Sequence, residues 1–159
     1  MLRKVFLVED ETVIREGLRD RIPWDQFGYR FVGEAADGEM ALPLIRKTKP
    51  DVLITDIKMP FMDGLELSKL IKKEMPWIEI IILTGFEEFA YAKEAIKLGV
   101  AQYLSKPISG DELLQELDQL AEKIREKKRE QEVREQYQRE MEENVQKNRK
   151  DFFKYLVTG

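Results

Sequence analysis

The stretch VLITDIKMPFMDG at residues 52–64 joins a predicted buried strand to a carboxylate and a turn. Val52 to Thr55 form a largely apolar run, which is typical of a strand buried on both faces. Asp56 follows where that strand should end, and the pair Asp63–Gly64 predicts a turn before the next helix. An unpaired carboxylate at a buried strand end is costly, so Asp56 is expected to have a partner or a chemical role.

The composition limits the chemistry that the chain can carry out. The 159 residues include no cysteine and no histidine. This excludes disulfides, thiol catalysis, ordinary zinc sites and nucleophiles activated by histidine. The net charge of −4 gives no indication of binding to nucleic acid or to an anionic membrane. The first apolar run is interrupted at Glu9, too early for a secretion signal or a membrane span, so we expect a cytoplasmic protein.

Strand-like and helix-like segments alternate along the chain. The strand candidates lie within residues 5–8, 29–35, 51–56, 77–85 and 100–107. Segments with helical spacing follow them and begin near residues 11, 38, 64, 87 and 110. In the first of these helices, the apolar residues with the spacing of one face are Val13, Ile14, Leu18 and Ile22. Five strands alternating with five helices predict an α/β fold, a doubly wound parallel sheet covered by helices on both faces.

The residues at the carboxyl ends of the predicted strands form an informative set, because ligands bind there in this architecture. Glu9 and Asp10 end the first strand, and Asp56 ends the third. Three clustered carboxylates repel one another unless a cation intervenes, and oxygen ligands without histidine favour Mg²⁺. We therefore expect Asp10 to hold Mg²⁺, with Glu9 behind it or acting through water.

The same set of residues suggests phosphoryl transfer. Asp56 could act as a nucleophile towards phosphorus and form an acyl phosphate. Thr84, at the end of the fourth strand, could donate its hydroxyl to a phosphoryl oxygen. Lys106, at the end of the fifth, would supply a positive charge to a carboxylate or a phosphate. Such chemistry depends on positioning and electrostatics and asks for little proton transfer.

Four motifs together resemble the receiver domain of two-component response regulators over roughly residues 3–125. They are LVEDE at 7–11, DIKMPFMDG at 56–64, LTG at 83–85 and YLSKP at 103–107. The resemblance implies a flavodoxin-like (βα)5 fold for residues 1–125, with Mg²⁺ as the cofactor. It also implies that Asp56 is the phosphoacceptor for a sensor histidine kinase. Enzymatic activity would be limited to the domain's own phosphorylation and dephosphorylation.

The family pattern implies further roles by position. The residues of its metal site correspond to Glu9, Asp10, Asp56 and the backbone carbonyl of Lys58. Its two switch residues correspond to Thr84 and Tyr103, and its invariant lysine to Lys106. Phosphorylation is expected to draw Thr84 towards the phosphate, turn Tyr103 inward and remodel the face formed by the fourth helix, fifth strand and fifth helix. Glu9 stands where an aspartate is frequent, which favours metal contact through water.

A finer resemblance concerns VIREGLRDRIPWDQFGYRFVGEAADGEMAL at residues 13–42. This segment is similar to the receivers of YesN-type regulators, whose full-length members carry a C-terminal AraC-type helix-turn-helix domain. The resemblance implies that the chain is the amino-terminal part of a longer transcription regulator, truncated before its DNA-binding domain. DNA would then be contacted only through that missing domain.

Residues 126–159 are predicted to form a charged helical linker that prolongs the last receiver helix. The segment 112–157 lacks glycine and proline, and pairs such as Glu130/Arg134 place an acid four residues before a base. Beyond the apolar positions Leu113, Leu117, Leu120 and Ile124, the same heptad makes a poor coiled coil, because its next four seam positions are Lys127, Gln131, Arg134 and Gln138. A solvated linker, a helix that pairs with a second subunit, and disorder all remain open. The apolar FFKYLV at 152–157 should need a partner.

Other functions and assemblies also remain open at this point. A homodimer is expected either through the C-terminal helix or through the face of the fourth helix, fifth strand and fifth helix. An aspartyl-phosphate hydrolase would need a general acid near Asp56, and the following loop offers only Asp63. A constitutive pseudo-receiver or dimerisation module, which would act without phosphorylation, is disfavoured by the complete set of site residues.

Overall fold

A computed structural model describes residues 2–85, 89–97, 99 and 102–158, without the side chains of 89, 91, 92, 95 and 150–158. The strands are β1 (Arg3–Val8), β2 (Tyr29–Ala35), β3 (Val52–Asp56), β4 (Glu79–Thr84) and β5 (Gln102–Ser105). The helices are α1 (Thr12–Arg21), α2 (Gly38–Thr48), α3 (Gly64–Glu74), α4 (Phe89–Lys97) and α5 (Gly110–Thr158). A 3₁₀ helix, Trp24–Phe27, precedes β2. The predicted starts of the fourth helix and fifth strand, at residues 87 and 100, lie outside the described residues.

The five strands form one parallel sheet in the order β2-β1-β3-β4-β5. The chain moves outward from β1 to β2, then returns to β3 on the other side of β1, so the direction of winding changes between β1 and β3. This confirms the predicted doubly wound α/β receiver fold. Ligands bind at such a switch point in open parallel sheets, beside the carboxyl ends of the central strands.

Both faces of the sheet are buried along its central strands, β3, β4 and the second half of β1. Phe6, Leu53 and Ile80 belong to one buried cluster with apolar side chains of α2 and α3. Successive strand residues point to opposite faces, so Leu7 and Ile54 face the other side, where they are also fully buried. Burial on both faces explains why β3 and β4 are nearly continuous apolar runs, since each side chain must leave water.

The apolar side chains that share one side of α1 are not fully buried. Val13 is 83% exposed, and none of the ten residues of α1, all of which the structure describes, is buried. Ile22 is buried, but it follows the helix. Ile14 and Leu18 are only half-buried. Helical spacing predicted correctly that these residues share a side of α1, but it could not show that part of this side faces solvent.

The chain divides into two compact units, Met1–Ala121 and Glu122–Gly159. In the first unit, α5 buries Leu113 and Leu117, and the buried Tyr29 hydroxyl donates a hydrogen bond to the Leu117 carbonyl. In the second unit, every side chain from Arg125 to Arg149 is exposed. The helical state predicted for this segment is confirmed, whereas the predicted partner contacts of residues 152–157 concern side chains outside the described set.

Replacement of two glycines by alanine should change stability in opposite directions. A Cβ at Gly64, the first residue of α3, would collide with the backbone carbonyl of Asp56, whereas one at Gly17 in α1 meets nothing within 4 Å. We expect Gly64→Ala to lower the free energy of unfolding by about 1–3 kcal/mol through overpacking. Gly17→Ala should raise it by about 0.5–1 kcal/mol because alanine favours the helix. Urea unfolding measures both effects, and a stable Gly64→Ala variant would contradict the close packing.

Candidate functional site

The strand ends bring the predicted site residues to one edge of the sheet. The parallel register sets Val8 beside Thr55 and Asp56 beside Leu83, so Glu9 and Asp10 leave β1 next to the end of β3. The loop after β5 is tied to the end of β4, because the Lys106 N–H donates a 2.7 Å hydrogen bond to the Thr84 carbonyl. The Lys106–Pro107 peptide bond is cis.

The side chains converge on one ammonium group. Lys106 Nζ lies 2.9 Å from Asp56 Oδ2 and 3.4 Å from Glu9 Oε2. One carboxylate oxygen from each of Glu9, Asp10 and Asp56 lies within 4.8 Å of the other two. The other oxygen of Asp56, Oδ1, accepts a 2.9 Å hydrogen bond from the Ile57 N–H. The structure therefore places three carboxylates and one lysine of the predicted set in a single cluster.

The loop that follows Asp56 is packed tightly against the strand end. The Gly64 N–H donates a 2.8 Å hydrogen bond to the Ile57 carbonyl, which holds the start of α3 against the Asp56 backbone. Asp63 caps α3 by accepting a 2.8 Å hydrogen bond from the Glu66 N–H. The sequence identified Gly64 only as part of a turn. Gly64 directly follows Asp63, the N-cap of α3, and the start of a helix does not require glycine. A glycine at this position is therefore the sequence signal that could have indicated the close packing against Asp56.

Burial and mutual repulsion perturb the acidic groups. Burial, followed by the charge of Asp56, raises the pKa of the fully buried Glu9 to about 8 despite the nearby lysine. Burial also raises the pKa of Asp56, although the hydrogen bond and charge of Lys106 act in the opposite direction. For Lys106, burial lowers the pKa, but the contacts to Asp56 and Glu9 outweigh it and raise the pKa overall. One ammonium therefore does not neutralise this cluster.

The oxygen atoms of the cluster suit a hard cation. Glu9 Oε2 is buried and accepts no hydrogen bond from the residues that the structure describes. Asp10 is exposed, which would allow water molecules to complete the shell of a small ion. Carboxylate oxygens with several waters are the ligand set that Mg²⁺ prefers. Lys58 lies in the exposed loop two residues beyond Asp56, and the metal-binding role of its carbonyl stays a prediction.

The two candidate switch residues lie on neighbouring strands. Thr84 is 2% exposed, and its hydroxyl is 3.5 Å from the Leu104 carbonyl, which is a long hydrogen bond. Such a weak contact leaves the hydroxyl able to change partner. Tyr103 is half-buried and packs against the cluster of buried side chains that includes Phe6 and Leu53. A movement of Tyr103 on phosphorylation stays a prediction.

Sequence reasoning missed two features around the cluster. Arg15 of α1 donates a 2.8 Å hydrogen bond from Nη1 to the backbone carbonyl of Glu9 and so helps to fix the end of β1. A groove of about 550 Å³ also runs between α1 and the loop after β5 and reaches Lys106. Its apolar lining includes Val13, Ile14, Leu18, Pro107 and Ile108. The spacing of apolar residues in α1 predicts that they share one face, but it does not show that this face lines a groove.

Comparisons with known proteins agree with this geometry. The pattern of the family described as "Response regulator receiver domain" matches residues 5–118. The chain is 41% identical over 117 residues to the uncharacterized transcriptional regulatory protein YesN of Bacillus subtilis, a match that covers 74% of this chain and 32% of YesN. It is 38% identical over 110 residues to the transcriptional regulatory protein HptR of Staphylococcus aureus, covering 69% of this chain and 43% of HptR.

A solved structure extends the agreement to three dimensions. The REC domain of AraT, a response regulator from Geobacillus stearothermophilus, matches with a TM-score of 0.72 and 42% identity, covering 83% of this chain and 99% of that domain. The chain spans about a third to about a half of the length of the curated relatives it matches. Among the described residues, no helix is both long enough and apolar enough to cross a membrane. Fold, sequence pattern and acidic cluster together show that the chain belongs to the receiver domain family of response regulators.

Proposed function

We propose that this chain is a phosphorylation-dependent switch in which Asp56 accepts a phosphoryl group from the phosphohistidine of a sensor histidine kinase. The observation that carries the proposal is the 2.9 Å contact of Lys106 with a buried Asp56 that lies among two further carboxylates. Without a function this concentration of negative charge would only destabilise the fold, since like charges at such distances disfavour ionisation. Membership of the receiver family supports the same role.

The chemistry requires positioning more than proton transfer. An oxygen of Asp56 attacks phosphorus, so that a P–O bond forms as the P–N bond of the donor breaks, and the leaving imidazole keeps the electron pair of that bond. Lys106 balances negative charge on the carboxylate and the incoming oxygens. The Thr84 hydroxyl exchanges its long contact with Leu104 for a phosphoryl oxygen. A chain without histidine can perform these steps, because the donor supplies the imidazole.

Glu9, Asp10, Asp56 and the carbonyl of Lys58 are the residues that we propose to hold Mg²⁺. When bound, this ion supplies positive charge that neutralises the oxygens of the cluster and of the phosphoryl group. Asp10 is the exposed member and Glu9 is fully buried. Because Glu9 already lies 3.4 Å from Lys106, we assign it contact with the ion through water rather than directly.

The proposed output is control of transcription. YesN and HptR are named as transcriptional regulatory proteins and extend well beyond the matched segment. We infer that residues 1–125 act as the receiver and that 126–159 link it to a DNA-binding domain in a longer cytoplasmic regulator. Thr84 and Tyr103 would transmit the phosphorylation state to the face formed by α4, β5 and α5. The groove beside Lys106 leaves an apolar surface next to the phosphoacceptor for the kinase.

One structural observation argues against the hydrolase alternative. Asp63, the acid that the sequence offers after Asp56, uses its carboxylate to cap α3. Its role in the fold explains its presence without a catalytic function. The pseudo-receiver alternative is disfavoured because Lys106 contacts Asp56 and Glu9, and one oxygen from each of Glu9, Asp10 and Asp56 lies within 4.8 Å of the other two.

Phosphorylation by a small donor tests the assignment of Asp56. Incubation with Mg²⁺ and acetyl phosphate should add the mass of one phosphoryl group, and hydroxylamine should remove it. Asp56→Asn should abolish the labelling, because an amide is a poor nucleophile towards phosphorus. Asp63→Asn is the matched control, since asparagine also caps helices, and it should label like the unmodified chain. Labelling that persists in Asp56→Asn would refute the assignment, and continuous turnover of phosphate esters would favour the hydrolase.

The raised pKa of Glu9 predicts how stability depends on pH in the absence of Mg²⁺. Its pKa is about 8 in the folded chain and 4.5 in the unfolded chain. Between these values the folded chain binds more protons than the unfolded chain, so the free energy of unfolding should fall as pH rises from about 4.5 to about 8. Mg²⁺ should stabilise the chain more at the upper end of this range, because it binds the deprotonated carboxylates.

Chemical unfolding in EDTA at a series of pH values measures this dependence. Glu9→Gln should flatten the pH dependence, since glutamine does not titrate. Glu39→Gln, at an exposed position of α2, is the matched control and should leave the dependence unchanged. A Glu9→Gln variant with the full pH dependence would show that other groups are responsible.

A further inference from the structure

Backbone hydrogen bonds hold the acidic segment at the end of β1. The Glu9 N–H donates a 3.1 Å hydrogen bond to the Ala35 carbonyl, and the Glu9 carbonyl accepts a 2.8 Å hydrogen bond from Arg15 Nη1. The contacts of the Glu9 carboxylate are longer, at 3.3 Å from the Glu11 N–H and 3.4 Å from Lys106 Nζ. The hydrogen bond from Arg15 is therefore the shortest of these four contacts, and it acts on the backbone rather than on the carboxylate.

Repulsion among the three carboxylates acts on this segment. One oxygen from each of Glu9, Asp10 and Asp56 lies within 4.8 Å of the other two, and like charges at such distances repel one another. A change in the backbone angles between Glu9 and Asp10 would turn the side chains apart and relieve this repulsion. The same change would reorient the Glu9 carbonyl, so the hydrogen bond from Arg15 opposes it.

Arg15 is itself held by a carboxylate of β2. Its Nε lies 3.7 Å from Glu34 Oε2, and the other oxygen of Glu34 lies 2.6 Å from Arg19 Nη1. Glu34 is the neighbour of Leu7 in the register of β1 and β2, so the sheet itself carries this carboxylate. The side chains of Arg15 and Glu34 are only 17% and 27% exposed. Partly buried charges are screened less than surface charges, so the ion pair helps to keep the guanidinium in place.

We propose that Arg15, oriented by Glu34, positions the metal-binding carboxylates by fixing the backbone carbonyl of Glu9. This inference rests on the Mg²⁺ site of the proposed function and adds to it two residues that are not among its ligands. Their contribution is to keep the carboxylates together before the cation binds, so that binding does not have to order them. Residues that orient metal ligands in this way commonly determine metal affinity as well.

The charge of Arg15 by itself would act on metal binding in the opposite direction. A cation beside the carboxylates repels Mg²⁺, so a role through charge alone predicts tighter binding when an uncharged residue replaces Arg15. The positioning role predicts weaker binding, because the carboxylates are no longer held together. The sign of the change in the Mg²⁺ dissociation constant therefore distinguishes the two roles.

Calorimetric titration of the whole chain with Mg²⁺, without a phosphodonor, measures this constant. We expect Arg15→Met, which keeps an unbranched side chain, to raise the dissociation constant about tenfold. Arg15→Lys should raise it less, because the ammonium can still donate a hydrogen bond to the Glu9 carbonyl. Arg21→Met, at an exposed position of the same helix, is the matched control and should bind Mg²⁺ like the unmodified chain. Unchanged or tighter binding by Arg15→Met would overturn the proposal.

A double-mutant cycle tests whether Glu34 acts through Arg15. Glu34→Gln alone should weaken Mg²⁺ binding by less than Arg15→Met does, and in the Arg15→Met background it should change nothing further. Independent, additive effects of the two substitutions would overturn the role of Glu34. Urea unfolding in EDTA shows how far each variant is destabilised. A variant of Arg15 that loses stability but keeps the Mg²⁺ affinity of the unmodified chain would show a purely structural role and overturn the proposal.

Labelling with acetyl phosphate connects this inference to the proposed function. In Arg15→Met the Mg²⁺ concentration for half-maximal labelling should rise by the same factor as the dissociation constant, whereas saturating Mg²⁺ should restore most of the labelling rate. A rate that stays low at saturating Mg²⁺ would place the effect of Arg15 outside the metal site and overturn the proposal. Failure of the proposed function is recognised separately, because the unmodified chain would then bind Mg²⁺ without labelling at Asp56, and the calorimetric comparison of the variants would still hold.

Discussion

The ammonium of Lys106 is shared between Asp56 at 2.9 Å and Glu9 at 3.4 Å, and the behaviour of the site depends on this shared charge. Asp10 adds a third carboxylate, with an oxygen within 4.8 Å of an oxygen of each of the other two. Interactions between charges strengthen as water is excluded, so the buried pair Glu9 and Asp56 repel each other strongly unless one of them is protonated or a cation binds. The folded chain therefore holds a site that is poorly neutralised by its own side chains and is suited to bind a cation and a phosphoryl group.

The fold keeps this unfavourable arrangement in place from several directions. Central strands buried on both faces fix the ends of β1 and β3, and the hydrogen bond from the Lys106 N–H to the Thr84 carbonyl aligns β5 with β4. Gly64 lets α3 start directly against the backbone of Asp56. Repulsion among the carboxylates at the carboxyl ends of the strands thus offsets part of the stability that the apolar core provides. Proteins commonly lose stability in this way at sites that serve activity.

Much of the fold and of the site could be predicted because both depend on local patterns. Continuous apolar runs identify buried parallel strands, and a parallel sheet necessarily collects their carboxyl ends at one edge, so the strand pattern alone groups Glu9, Asp56 and Lys106. Features that depend on three-dimensional distance could not be predicted. The sequence does not show that Val13 faces solvent, that Gly64 touches Asp56, or that Lys106 contacts Glu9 as well.

The central claim is that the carboxylate of Asp56 itself carries the phosphoryl group. Borohydride reduction of the chain after treatment with acetyl phosphate and Mg²⁺ tests this most directly, since it converts a phosphorylated aspartate into homoserine. Peptide sequencing by mass spectrometry then locates the converted residue. We expect homoserine at position 56 and at no other aspartate. Homoserine at Asp10 or Asp63, or a phosphorylated chain with unmodified Asp56 after reduction, would contradict it.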